Sequence, residues 1–146
     1  MIAGIAAMEK RYVASMDIGG AYLNAKIEKD VFMRIDPDLV VLLERIDPIY
    51  SQCKEPDGSI IVKLKKALYG LAESSKLWYS LLTGYLEELG FRRNGRDKCV
   101  FNKFINDAQC TVCVYVDDIL CTSTVRSAIE WVNESLKSKF NEVSIN

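Results

Sequence analysis

Cys110-Thr111-Val112-Cys113-Val114-Tyr115-Val116-Asp117-Asp118-Ile119-Leu120-Cys121-Thr122 reads as two apolar, β-branched runs that meet at adjacent aspartates. That pattern predicts strands over residues 110–116 and 119–122, joined as a hairpin with both carboxylates at its tip. Burying one unpaired carboxylate is costly, and setting two side by side adds repulsion. The pair therefore belongs in water or against a divalent cation. The plainer alternative is that aspartate favours turns because its side chain bonds nearby backbone. The hairpin alone does not decide between them.

A further carboxylate lies far upstream. Tyr12–Ile18 (YVASMDI) looks like a strand, and period-two alternation puts Val13, Ser15 and Asp17 on one face. Gly19-Gly20 ends it, and glycines let backbone amides approach an anion closely. If this strand neighbours the hairpin, Asp17 converges with Asp117 and Asp118, and three carboxylates could hold two Mg²⁺ ions. Two such ions, about 3.5–4 Å apart, stabilise the attacking and leaving oxygens of an in-line phosphoryl displacement. An all-oxygen ligand set suits Mg²⁺.

Around these motifs the patterning predicts an α+β fold in one domain over residues 1–146. Helical spacing is expected over residues 3–11, in a short piece between Pro37 and Pro48 followed by a loop, and over 125–140. The clearest helix is 74–89, where Leu77, Trp78, Leu81, Leu82, Tyr85, Leu86 and Leu89 share a face and Gly90 supplies a stop. Strands are expected over 31–35, 60–64 and 99–104, with Asp57-Gly58 as a hairpin-type turn signal before the second of these.

Composition sets the outer bounds. The chain is 49% hydrophobic and 27% charged, an ordinary soluble globular balance. No apolar run reaches the roughly 18 residues of a membrane span, and the N-terminus lacks the basic start of a secretory signal. An intracellular protein is expected. The five cysteines, with no histidine in the chain, exclude a Cys/His zinc site and read as free buried thiols. Net charge is −1, which does not advertise a nucleic-acid binder. Yet residues 60–103 carry nine basic against four acidic side chains, a local charge of +5. A basic stretch beside acidic metal ligands is what a polymerase cleft requires, and a solvated mixed-charge surface reads the same way.

The chain resembles the copia-type retrotransposon reverse transcriptases over nearly its whole length. Four blocks in order carry the likeness. Met16–Asn24 (MDIGGAYLN) is similar to the family's first catalytic motif, and Lys63–Leu71 (KLKKALYGL) continuing to Trp78-Tyr79 is similar to its LKKxLYGL…WY block. Gly90-Phe91 with Asp97 and Cys99-Val100-Phe101 follows, and then the Tyr115–Leu120 hairpin. The resemblance implies a reverse-transcriptase palm, an antiparallel sheet packed on helices, with partial fingers and no thumb.

It also implies an RNA-directed DNA polymerase that uses two Mg²⁺ ions, with Mn²⁺ as an alternative, to join a dNTP to a primer 3′-hydroxyl. Asp17 and Asp117 would be the principal metal ligands, Asp118 the third acid, and the Ile18 carbonyl a further oxygen. Gly19, Gly20, Ala21 and Tyr22 would face the incoming nucleotide, Tyr22 as the gate against a 2′-hydroxyl. Tyr69 and Gly70 would lie beneath the base pair being formed, and Lys65, Lys66 and Tyr115 would meet the template–primer. Without the resemblance, Tyr22 reads as a core aromatic, Gly70 as a turn residue, the lysines as surface charge, and Trp78 and Tyr79 as packing.

Three positions depart from the family pattern. Ser74-Ser75 replaces Ala-Pro, and Gly20 replaces Thr or Asp, which should loosen the triphosphate loop. The resemblance implies that most of the fingers, the thumb, and the ribonuclease H and integrase regions of a polyprotein are expected outside these 146 residues. The expected location is the cytoplasm, within a virus-like particle. The competing expectations are a catalytically inactive remnant that folds and binds nucleic acid or a partner, and a metal-dependent nuclease, which would need no sugar gate.

Overall fold

The computed structural model describes residues 2–140 and 142–146. Its elements in chain order are α1 (Ile2–Met8), β1 (Tyr12–Ile18), α2 (Ala21–Asn24), β2 (Phe32–Ile35), α3 (Pro37–Ile46), a 3₁₀ turn (Pro48–Cys53), β3 (Ile60–Lys63), α4 (Ser74–Glu88), β4 (Arg92–Arg93), β5 (Val100–Ile105), β6 (Ala108–Tyr115), β7 (Asp118–Ser123), α5 (Arg126–Lys139) and β8 (Val143–Ile145). Six strands form one antiparallel sheet in the order β4-β5-β6-β7-β1-β8. A second sheet, β2 with β3, stands apart from it. The chain is thus a mixed α/β fold with a six-stranded antiparallel sheet packed on helices.

Alternation along the strands explains that packing. Ala14, Met16 and Ile18 of β1, Cys110, Val112 and Val114 of β6, and Ile119 and Cys121 of β7 all point to one face. Onto that face α4 sets Trp78, Leu82 and Leu86, while α5 sets Ile129, Val132 and Leu136. The alternate residues of β1, Val13, Ser15 and Asp17, face away from the core, as period two requires.

The end of α4 has a specific local cause. Gly90 adopts φ 87°, its N–H donates to the Glu87 carbonyl, and the Phe91 N–H reaches back to the Leu86 carbonyl at 3.0 Å. This is a Schellman ending, and its apolar partners Leu86 and Phe91 are both in the core. Gly90→Ala is expected to lower stability by about 1–2 kcal/mol, because an L side chain resists this left-handed backbone. Chemical denaturation should show a lower midpoint with an unchanged slope.

Several expectations need correction. The first helix stops at Met8, short of Arg11, and Lys10 follows it with φ 52°. Asp57-Gly58 forms a turn, but not a hairpin tip: β3 pairs with β2, and α3 and the 3₁₀ turn intervene between them. There Asp57 instead caps the turn, accepting from the Ser59 N–H and hydroxyl. The segment after α3, read as loop, contains the 3₁₀ turn, with Asp47 accepting from the Ile49 N–H. Strands β4 and β8 are additions. Of the five cysteines, only Cys110 and Cys121 are buried, and all five are free thiols. Cys110 and Cys121 sulfurs lie 3.5 Å apart, and that contact together with burial pushes the Cys121 thiol well above its ordinary value. Among the described residues, no helix is long and apolar enough to cross a membrane.

Candidate active site

The sheet order brings the two acidic motifs together. Strand β7 runs antiparallel to β1, and the register pairs Asp17 directly with Asp118. Directly opposed residues of an antiparallel pair share a face, so both side chains lie on the face turned away from the α4–α5 core. On the other side of β7, Tyr115 pairs with Asp118 and closes the β6–β7 hairpin. Its two tip residues are Val116 and Asp117, so Asp117 sits at the tip and Asp118 begins the strand. The three carboxylates therefore come from adjacent stretches of backbone, 100 residues apart in sequence.

Like charges directly opposite across a sheet repel. Among the described residues, none of the three aspartates joins an ion pair with lysine or arginine. Nor do three Cys, Asp or Glu side chains anywhere in the described residues converge tightly enough to hold one metal ion. Neighbouring strands thus juxtapose the acids without drawing their oxygens together. One reason is visible: the Asp117 carboxylate accepts a hydrogen bond from the Tyr69 hydroxyl at 3.3 Å. Burial, then the Asp117 charge and the hydrogen bond itself, push the Tyr69 phenol up, which keeps it protonated as a donor.

Tyr69 also stacks on Tyr22, with ring centroids 4.4 Å apart and planes tilted by 47°. Tyr22 is half-buried on α2 and packs against the core, so both the packing and the site readings of this residue describe part of its surroundings. Gly20 precedes α2 with φ 58° and ψ 37°, a left-handed conformation in which glycine is the least strained residue. That explains why glycine stands there. Ala21 is fully buried and Ile18 is 1% exposed, so either can offer the site only its backbone. Gly70, with φ 94°, turns the chain between Tyr69 and α4.

Other expected residues are placed less favourably. The Gly19 N–H donates to the Glu142 carbonyl at 2.7 Å and so is already engaged. Glu142 was not singled out from sequence; its side chain lies against Gly19, one carboxylate oxygen 2.5 Å from where a Cβ would stand. Lys65 and Lys66 are exposed, Lys66 bridging to Lys26, and neither bonds to the aspartates. Tyr115 is 78% exposed beside the hairpin tip. Trp78, read as packing, is buried, but its indole N–H also donates to the Val116 carbonyl at 2.6 Å. The signal for that contact was present: a buried indole N–H needs an acceptor.

Comparison with known proteins gives a consistent set of likenesses. The family model described as reverse transcriptase (RNA-dependent DNA polymerase) matches residues 1–145. Over 136 residues, 92% of this chain, the sequence is 29% identical to the Transposon Ty1-DR4 Gag-Pol polyprotein of Saccharomyces cerevisiae (strain ATCC 204508 / S288c). The same identity and coverage hold for the Transposon TyH3 Gag-Pol polyprotein of Saccharomyces cerevisiae. They hold again for the Truncated transposon Ty1-A Gag-Pol polyprotein of strain ATCC 204508 / S288c. The chain spans only 7% of the length of the first two and 10% of the third.

Proposed function

The chain belongs to the reverse transcriptase (RNA-dependent DNA polymerase) family, in its copia type, and from that premise we propose that it is the palm-centred core of an RNA-directed DNA polymerase. The observation that carries this reading is the register that sets Asp17 opposite Asp118, with Asp117 beside them at the hairpin tip. Two opposed carboxylates without a protein cation are stabilised by a divalent cation, and their all-oxygen character suits Mg²⁺ or Mn²⁺. Asp17 and Asp117 would hold such ions, with Asp118 and the Ile18 carbonyl contributing, and the ions would neutralise charge at the reacting phosphate.

The chain's own residues then do the positioning. Asp117 must leave the Tyr69 hydroxyl, at least with the oxygen it shares, to turn toward Asp17. Tyr69, released, and the Tyr22 ring beside it form an aromatic wall suited to the nucleotide's sugar and base; Tyr22 would exclude a 2′-hydroxyl by bulk. The α2 start, from Gly20 through Ala21 to Tyr22, presents backbone amides unpaired within the helix to the triphosphate. The Gly19 amide would join them only if Glu142 withdrew. No histidine exists to act as acid or base, so catalysis rests on positioning and charge neutralisation.

Template–primer and dNTPs are the partners this reading requires. Lys65, Lys66 and Tyr115 are exposed where a polyanion could meet them. The remaining fingers, the thumb, and the ribonuclease H and integrase regions would come from the rest of a Gag-Pol-like polyprotein, in a cytoplasmic virus-like particle. A second reading, an inactive remnant that folds and binds nucleic acid, is favoured by one feature, the occupation of the Gly19 amide by Glu142.

Primer extension on an RNA template with Mg²⁺ separates the two. The parent should extend the primer and Asp117→Asn should fall to background. Equal activity in both rules the mechanism out, and binding of a labelled primer–template without extension by the parent supports the remnant.

A further inference from the structure

The tip of the β6–β7 hairpin is strained, and a buried side chain holds it. Val116 has φ 57°, while Asp117 is not among the described residues with positive φ. A two-residue hairpin turn with only its first central residue left-handed ordinarily places glycine there. Valine is among the residues that resist this backbone most, because both branches of its Cβ crowd the chain. Something outside the turn must keep it in place.

Trp78 is the neighbour that can. Its indole N–H donates to the Val116 carbonyl at 2.6 Å, and the residue is 1% exposed. The ring is braced edge-on by Phe140, with centroids 5.3 Å apart. It projects from α4, whose Leu82 and Leu86 are fully buried in the core, so the donor is a fixed point. The carbonyl it holds belongs to the peptide unit between Val116 and Asp117. Fixing that plane fixes the N–Cα bond of Asp117, the point from which its side chain departs. The Tyr69 hydroxyl holds the same aspartate from its carboxylate end, so one chain segment, 69–78, grips the tip at two points.

We propose that Trp78 is a positioning residue for Asp117: its indole hydrogen bond keeps the strained tip turn in the conformation that holds the Asp117 backbone beside the Asp17–Asp118 pair, from where its carboxylate reaches a shared cation on leaving the Tyr69 hydroxyl. This rests on the reading of the aspartates as ligands of divalent cations. The indole acts only through the Val116 backbone and touches no reacting group.

The test uses the whole chain. It contains only two tryptophans, Trp78 and Trp131, hence two indole N–H resonances, which Trp131→Phe assigns. On titration with Mg²⁺, the Trp78 resonance of the parent should shift and that of Trp131 should not. Mn²⁺ affinity, followed by electron paramagnetic resonance, should weaken by about 10–100-fold in Trp78→Phe, the usual effect of losing a group that orients a metal ligand. Adding Val116→Gly to that variant should restore most of the affinity, since glycine takes up the turn unaided. A merely structural role for Trp78 would give no such rescue. Unchanged Mn²⁺ affinity in folded Trp78→Phe overturns the proposal and leaves the polymerase reading intact. Absence of Mn²⁺ binding by the parent overturns both. Should Trp78→Phe fail to fold, a Trp78 resonance in the parent that ignores saturating Mg²⁺ overturns the proposal by itself.

Discussion

Asp17→Asn is expected to cut templated primer extension by at least about 10³-fold while raising the thermal midpoint of the metal-free protein. On the proposed reading, the first effect follows from losing a principal ligand of the cations, which would withdraw several kcal/mol of charge stabilisation from the transition state, each 1.36 kcal/mol being about tenfold. The second follows from the register. Asp17 and Asp118 are direct cross-strand partners of like charge, with no ion pair to lysine or arginine among the described residues. Removing one charge should return about 0.2–1 kcal/mol, or up to about 3 °C for a chain of this size.

The sign should reverse when Mg²⁺ is added. A ligand that binds only the folded state stabilises it, by about 1.4 kcal/mol at ten times its dissociation constant. The parent would gain this and Asp17→Asn would gain little. Differential scanning calorimetry with and without Mg²⁺ checks the crossover. A variant that is less stable than the parent in chelator would show that the aspartate serves the fold rather than the site. A protein that places mutually repelling acids together sacrifices stability for function at that position.

How far the sequence foretold this site depends on the range over which each feature is encoded. Strand β1 was legible because burial of one face forces alternation, so Tyr12–Ile18 could be read from seven residues alone. Helix α4 was legible for the same reason at a different period, and Gly90 marked its end. The hairpin at Asp117 followed from two apolar runs meeting. Strand β8 was not legible: three residues, of which Ser144 and Ile145 are exposed, carry no period to detect. Its pairing with β1 is what delivers the Glu142 carbonyl to the Gly19 amide. The triphosphate role expected for that amide therefore met a competitor whose position depends on a long-range contact. Asp57-Gly58 misled for a related reason. Its turn chemistry is real, but which strand β3 pairs with is settled across α3 and not by the turn. The neighbourhood of the three aspartates was foreseen; the hold of Tyr69 on Asp117 was not, because nothing local to either residue announces a contact across 48 positions.

Phe101→Ala is expected to destabilise the fold by about 3–5 kcal/mol, the range for truncating a buried phenylalanine to a cavity. Phe101 is fully buried on β5, where it joins the core beneath α4. A domain of this size holds only about 5–15 kcal/mol in all, so the loss takes a large share of the margin. The sheet order makes this substitution informative about function as well. Strand β5 is separated from β7 by β6 and from β1 by β6 and β7, so Phe101 lies outside the strands that carry the three aspartates. Any loss of metal binding in Phe101→Ala is then expected to travel through unfolding. Mn²⁺ affinity measured well below the midpoint of the variant should equal that of the parent, whereas measured near the midpoint it should fall in step with the folded fraction. Trp78→Phe should behave in the opposite way, with weakened affinity at temperatures where the chain is fully folded. A Phe101→Ala protein that is folded at low temperature yet binds metal poorly would mean that the whole sheet, and not the hairpin and β1 alone, sets the geometry of the aspartates.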